Sequence, residues 1–222
     1  MTPDINKSEV ADAYDQWADT YDNDHNRTRD LAGKVLREAG LAVSGRRIVE
    51  IGCGTGRNTE WLVRPESGIA EVVALDFSEE MLTRARARVD DPRVRFIQHD
   101  VQTRWPLAND SANVVIAILV LEHVEHLEPI FAEAARVLRA TGELFICELH
   151  PEQQLLGKQA RFTSAATGQN KLVTAFLHRT EDYFNVGMSA GFELVSLAEW
   201  QDEDAPENPP RLLSLHSRLP AS

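Results

Sequence analysis

Three glycines in alternate positions, Gly52, Gly54 and Gly56, follow the apolar run Ile48-Val49-Glu50-Ile51. A strand running into such a turn lets the backbone approach a ligand with no side chain in between. The helix that follows points its free N–H groups into the same crevice. Asp76 ends the next apolar run and Asp100 the one after it. At these strand ends one carboxylate can accept both hydroxyls of a ribose, and the other can accept from an adenine amino group. A single acid there is often only a helix cap; two at successive strand ends, both downstream of a glycine turn, form a nucleoside-binding constellation. The dinucleotide fingerprint G-x-G-x-x-G places its third glycine at position 57, where this chain has Arg57. The order G-x-G-x-G suits a ligand without a pyrophosphate, which disfavours an NAD-dependent oxidoreductase.

Histidines supply the other chemistry. His123 stands at the exit of the fourth strand and is the best-placed general base; capping or packing of a short helix is its alternative role. His150, followed by Pro151 at the end of the fifth strand, is placed for catalysis or for contact with a substrate. His178 and Tyr183 frame the end of the segment beyond it and are further substrate-contact candidates. Lys158 and Arg161 would bind an acidic substrate or be solvated loop charges. His126 lies three residues from His123, a spacing used by helical metal pairs, but no third ligand is nearby and no metal is expected. Cys53, inside the glycine turn, reads as a small buried residue and not as a nucleophile.

The elements that must position these residues alternate. Ser8 to about Arg37 is helical, broken by polar residues from Asp22 to Asn26, with Val10, Tyr14, Trp17, Ala18 and Tyr21 at helical spacings. Strands are predicted over Arg47–Ile51, Glu71–Leu75, Val94–Gln98, Asn113–Leu119 and Glu143–Leu149. Helices are predicted over Asn58–Val63, Ser78–Val89 and Glu128–Arg139, the second capped by Ser78. His150 to Thr180 loosens into an insertion that covers the ligand edge of the sheet. A helix over Glu181–Ala190, a strand over Phe192–Trp200 and an antiparallel return over Arg211–Ser217 complete the chain. Such alternation predicts an α/β fold: a seven-stranded, mostly parallel sheet with its last strand antiparallel, helices on both faces and an N-terminal helical lid. The expected organisation is one domain over 1–222, with the lid over 1–44, a cofactor-binding core over 45–150, the insertion over 151–180 and a C-terminal helix and strands over 181–222.

Composition narrows the partners. The 222 residues carry a formal net charge of -12, which opposes binding to a phosphate backbone, so nucleic acid is not expected. The longest apolar run, Val114 to Leu121, is strand-sized, so no membrane span and no stable membrane association are expected. Two cysteines in apolar contexts and an N-terminus without an apolar core point to a cytoplasmic protein, a monomer or homodimer.

Taken together, these segments resemble the class I S-adenosylmethionine-dependent methyltransferases, in particular the small-molecule group that includes the quinone-biosynthesis methyltransferases. The matching pieces are residues 49–56, Ala74 to Leu82, His99-Asp100-Val101, Val120 to Val124, and the lid-like stretch Tyr14 to Asp22. The resemblance covers roughly Ser8 to Leu149 and is specific for cofactor and fold, not for acceptor. It implies S-adenosylmethionine as cofactor. Glu50, Gly52, Cys53, Gly54 and Gly56 would shape its methionine and ribose side. Asp76 would hold the ribose, Phe77 and Met81 the adenine face, and Asp100 and Val101 the adenine edge. Leu119 would lie near the sulfonium and Tyr21 would close over the cofactor. Tyr14 and Trp17 would line the acceptor pocket or pack the lid. Glu122-His123 is similar to part of the metal site of the quinone O-methyltransferases, but Leu119 stands where a further glutamate would be, in keeping with no metal. The implied activity is methyl transfer to a small organic acceptor, with oxygen favoured over nitrogen or carbon. A quinone-type C-methyltransferase and a cofactor-binding module without turnover are the alternatives.

Overall fold

The computed structural model describes residues 5–23, 25–164 and 167–221. Residues 1–4 of the lid, Asp24 of the polar break, and Ala165 and Ala166 of the insertion lie outside the described residues, as does Ser222. Two helices, α1 (Ile5–Trp17) and α2 (Arg27–Glu38), precede β1 (Arg47–Ile51) and α3 (Arg57–Leu62). The chain continues through β2 (Glu71–Asp76), α4 (Glu79–Arg88), β3 (Val94–Gln98), β4 (Ala112–Ile118), α5 (Glu128–Val137) and β5 (Leu138–Leu149). It ends with α6 (Pro151–Leu155), β6 (Arg161–Thr163), β7 (Asn170–Leu172), α7 (Thr180–Ser189), β8 (Glu193–Trp200) and β9 (Leu212–Arg218).

Seven strands form one sheet in the order β3-β2-β1-β4-β5-β9-β8. The pairs from β3 to β5 are parallel and β9 is antiparallel to both neighbours, the expected arrangement. Strand alternation sorts the core into two layers. Ile48, Val114 and Ile116 pack with Val35 and Leu36 of α2 and Leu62 of α3. Val49, Val115 and Ala117 pack on the opposite face with Ile130 and Phe131 of α5 and Tyr183 of α7. The sheet changes connection between β1 and β4, so the loops after β1, β2 and β4 converge on one crevice at their carboxyl ends.

Two expectations need correction. The helix placed over Glu128–Arg139 stops at Val137, and β5 begins at Leu138, not Glu143. Leu138 pairs with Ala112, and the register shifts before Val114 pairs with Glu143, so the Thr141-Gly142 turn is an irregularity within a long strand. Its backbone is left-handed at Thr141, φ 62°. The insertion after β5 is also more ordered than its loose pattern suggests. It holds α6 and the antiparallel hairpin β6–β7.

The hairpin and the lid hold each other. Trp17 of α1 stacks on Phe162 of β6 at 5.6 Å and 16°, in a small cluster with Val10 and Val173. Polar residues of the lid tie it to α4: Asp15 accepts from Ser78, and Asp19 and Asp22 pair with Arg84 and Arg88. These exposed pairs set register more than stability.

Glu148 lies inside β5 at 1% exposure. Its Oε1 accepts the N–H groups of Val120 and Leu121, each at 3.0 Å, and so fixes the chain where it leaves β4. Burial pushes this carboxyl from its usual 4.5 up to about 8, against the lowering effect of those two donors. A group whose folded value is raised contributes stability below its unfolded value and loses it as pH climbs to the folded one. Wild type, measured against Glu148→Gln, is therefore expected to lose on the order of 3 kcal/mol between about pH 5 and pH 8. Denaturant unfolding of both chains across that range checks it; parallel curves would contradict it.

Candidate functional site

The crevice at the carboxyl ends of β1, β2 and β4 opens into a cavity of about 900 Å³. That volume holds a nucleoside-sized ligand together with a small second molecule. The glycine turn forms its floor. Gly52 has φ +67°, and a Cβ there would stand 2.4 Å from Val120 Cγ2, so only glycine lets β1 and the β4 exit meet. Gly54 has φ +54° and would direct a Cβ into open space. It lines the cavity, so a side chain there would occupy the space the ligand needs.

Asp76 ends β2 at 4% exposure in the cavity wall. Its Oδ2 accepts Gly54 N–H at 2.8 Å and its Oδ1 accepts Ser78 N–H at 2.9 Å. Each oxygen keeps a second lone pair, which is what a pair of ribose hydroxyls would use. Burial pushes this carboxyl up to about 6, and the backbone donors hold it down from going further. Phe77, Asp100 and Val101 continue the wall on one side and Leu119 on the other, with Cys53 beside the turn. Leu119 takes a left-handed backbone, φ 54°, which costs a non-glycine residue about 1–2 kcal/mol. Strain of this kind concentrates at functional sites.

The lid supplies the opposite wall through Tyr14 and Tyr21. Arg29 of α2 lies over the Tyr21 ring at 4.1 Å from its centroid. The Tyr14 hydroxyl meets His123 Nε2 at 2.8 Å, and His123 Nδ1 faces the Thr174 carbonyl at 2.7 Å. A carbonyl only accepts, so Nδ1 carries the ring proton. Nε2 of the neutral ring then accepts from Tyr14. Burial pushes the Tyr14 hydroxyl well above its usual value, so it stays protonated and donates. The return of the insertion straps this loop: Phe176 N–H reaches the Glu122 carbonyl at 2.7 Å, and His178 Nε2 the Val124 carbonyl, also at 2.7 Å.

Several expected site residues stand elsewhere. Trp17 is committed to Phe162 and does not line the cavity. His150 is 4% exposed; its Nδ1 accepts Glu152 N–H at the start of α6, and its Nε2 is 3.4 Å from Glu199, so it is a cap and not an acceptor contact. His178 is spent on Val124, and Tyr183 packs in the core beneath α7. Glu50 lies behind the turn, where Thr59 of α3 donates to it at 2.5 Å; burial lifts its carboxyl to about 7. Gly56 packs on Ala85, and Met81 is buried in the first turn of α4. These three support the turn without facing the cavity. Conversely, Val10, Arg29, His99, Glu125 and Phe176 line the cavity and are not among the expected site residues. Glu148 was also missed; its signal is a lone acid in the apolar strand Leu144 to Leu149.

With this geometry in hand, likeness to known proteins decides the family. The methyltransferase domain family matches residues 49–146. An uncharacterised methyltransferase of Emericella nidulans is 30% identical over 85% of this chain and 77% of its own. The chain belongs to the class I S-adenosylmethionine-dependent methyltransferases. A demethylmenaquinone methyltransferase of Clavibacter sepedonicus is 31% identical over 90% of this chain and 84% of its own. A crystal structure of an S-adenosylmethionine-dependent methyltransferase from Mesorhizobium loti superposes with a TM-score of 0.70 at 25% identity, covering 83% of this chain and 96% of that one. The bare turn, the free lone pairs of Asp76 and the cavity volume fit S-adenosylmethionine, the cofactor of this enzyme.

The two cavity glycines separate fold from binding. Gly52→Ala is expected to destabilise by about 2–5 kcal/mol through overlap with Val120 and left-handed strain. Gly54→Ala costs only the strain, about 1–2 kcal/mol, yet weakens S-adenosylhomocysteine binding at least about tenfold. Urea unfolding and calorimetry check the pair; equal destabilisation with unchanged binding would contradict it.

Proposed function

We propose that this methyltransferase acts on a small organic acceptor at a hydroxyl oxygen, with Tyr14 and His123 removing the acceptor's proton. The observation that carries this reading is the Tyr14–His123 hydrogen bond in the cavity wall, with Nδ1 anchored to Thr174 so that Nε2 is the end left to take a proton. Bound S-adenosylmethionine supplies an electrophilic methyl group for in-line displacement, and the enzyme's largest task is alignment, on the order of 7–11 kcal/mol.

In this reading Asp76 takes the ribose hydroxyls, Phe77 packs on the adenine, and Asp100 and Val101 take its amino edge. Gly52 and Gly54 accommodate the methionine end. Leu119 would lie near the sulfonium, and Tyr21 would close over the cofactor. An acceptor hydroxyl placed at Tyr14 passes its proton to the Tyr14 oxygen as Tyr14 passes its own to His123 Nε2. The acceptor oxygen is left with the electron pair that would take the methyl group as its bond to sulfur breaks, with S-adenosylhomocysteine as the leaving group. Base help of this kind contributes about 10²–10⁴-fold.

A second reading, methylation at a ring carbon of a quinol, is favoured by the demethylmenaquinone methyltransferase relative. It uses the same proton removal from a ring hydroxyl. An acceptor that is already ionised, such as a carboxylate, needs no base.

The experiment supplies isotope-labelled S-adenosylmethionine with a catechol, a quinol, an aliphatic alcohol and a carboxylic acid, and locates the label by carbon NMR. Label on oxygen of the catechol is expected. On that acceptor His123→Asn should lower kcat about 10²-fold or more and Tyr14→Phe about tenfold. Full turnover by His123→Asn, or label only on the carboxylic acid, would contradict the proposal.

A further inference from the structure

The mechanism above leaves one buried acid beside its base unused. Glu122 Oε1 lies 3.7 Å from His123 Nε2, and both side chains are 7% exposed. Glu122 Oε2 and Glu148 Oε2 are buried with no hydrogen-bond partner. Buried carboxyl oxygens are costly when unsatisfied, so retained ones need a reason.

The two acids differ in what surrounds them. Glu148 already accepts two backbone N–H groups through Oε1, and burial holds it protonated to about pH 8. It is the neutral member at physiological pH, which spares Glu122 a full like charge. Burial raises Glu122 as well, but a protonated His123 opposes that rise and favours the carboxylate. Tyr14 from α1 and Tyr183 from α7 face the same pair of acids, Gln154 of α6 lies beside Glu122, and Asp76 and Asp182 act on the two tyrosines. All of these are neutral or acidic, so the positive charge favoured in this compartment is the one that His123 acquires.

We propose that Glu122 is a positioning residue for His123, supplying the negative charge that stabilises the ring once it holds a second proton. The inference rests on the reading of His123 as proton acceptor. The acceptor's proton ends on the Tyr14 oxygen, the proton Tyr14 gives up ends on Nε2, Nδ1 keeps its own, and Glu122 neither gives nor takes one. The compartment passes from one negative charge to a neutral ion pair as the methyl group moves. At 3.7 Å from Nε2, Glu122 lies beyond hydrogen-bond distance and leaves the direct contact with that nitrogen to Tyr14 at 2.8 Å.

The test is nitrogen NMR of the isotope-labelled protein without acceptor at about pH 6, where imidazole protonation is readily populated. Among the seven histidines, the His123 signals are those lost in His123→Asn. Glu122→Gln is expected to lower the ratio of doubly protonated to neutral His123 about tenfold, with the chain still folded; Glu122→Asp, which keeps the charge, should hold it within about threefold. An unchanged ratio in Glu122→Gln overturns the proposal, as does an equal fall in Glu122→Asp. A Glu122→Gln chain without a cooperative melt also overturns it, because the acid would then be a structural one. The two readings fail separately. Full turnover by His123→Asn removes the base whatever the ratio does, whereas an unchanged ratio with an inactive His123→Asn chain removes only the role of Glu122.

Discussion

The Asp76 carboxylate is the constraint on which the site depends. It ends β2, accepts the N–H of Gly54 across the crevice and the N–H of Ser78 at the mouth of α4, and so fixes the glycine turn and the α4 cap with one group. Burial disfavours its ionised form, and the two backbone donors restore it. Both oxygens keep a further lone pair, and Asp76 lines a cavity whose floor has no side chain at Gly54. Binding geometry and local fold therefore rest on the same atoms, and a ligand bearing two adjacent hydroxyls completes the arrangement.

The loop after β4 is held just as firmly, from more distant parts of the chain. Val120 fills the space left by the missing side chain of Gly52. Glu148 takes the N–H groups of Val120 and Leu121, and Cys147 takes that of Leu119. The insertion grips Glu122, His123 and Val124 from the other side. Tyr14 closes the set from the lid, which is itself pinned by Trp17 on Phe162 and by Asp15 on Ser78. His123 thus has one tautomer and one orientation, and the parts that fix them come from α1, β4, β5 and the insertion.

This division explains what the sequence made legible. The glycine turn, Asp76 and the alternation of strands and helices are local patterns, and the sheet order and antiparallel β9 follow from general rules of α/β folds. The register shift between β4 and β5 depends on cross-strand packing, so the start of β5 was placed five residues late. The β6–β7 pair has a face packed against Trp17 and Val10 of the lid, far away in the chain, so neither the loose pattern of the insertion nor Trp17 shows this contact locally. His150 and His178 stand near the ligand edge in sequence terms, yet their ring nitrogens are spent on Glu152 and Val124. Glu148 shows the converse. A single acid in an apolar strand is visible as a letter, but its partners are backbone groups on another strand.

Isothermal titration of the wild-type chain and of Asp76→Ala with S-adenosylhomocysteine, and of the wild type with NADH, tests the central claim most directly. The wild type is expected to bind S-adenosylhomocysteine, Asp76→Ala to bind it at least about 10²-fold more weakly because two charge-assisted hydrogen bonds are lost, and NADH to give no heat of binding. Equal affinity in the two chains, or NADH binding without a response to S-adenosylhomocysteine, would contradict it.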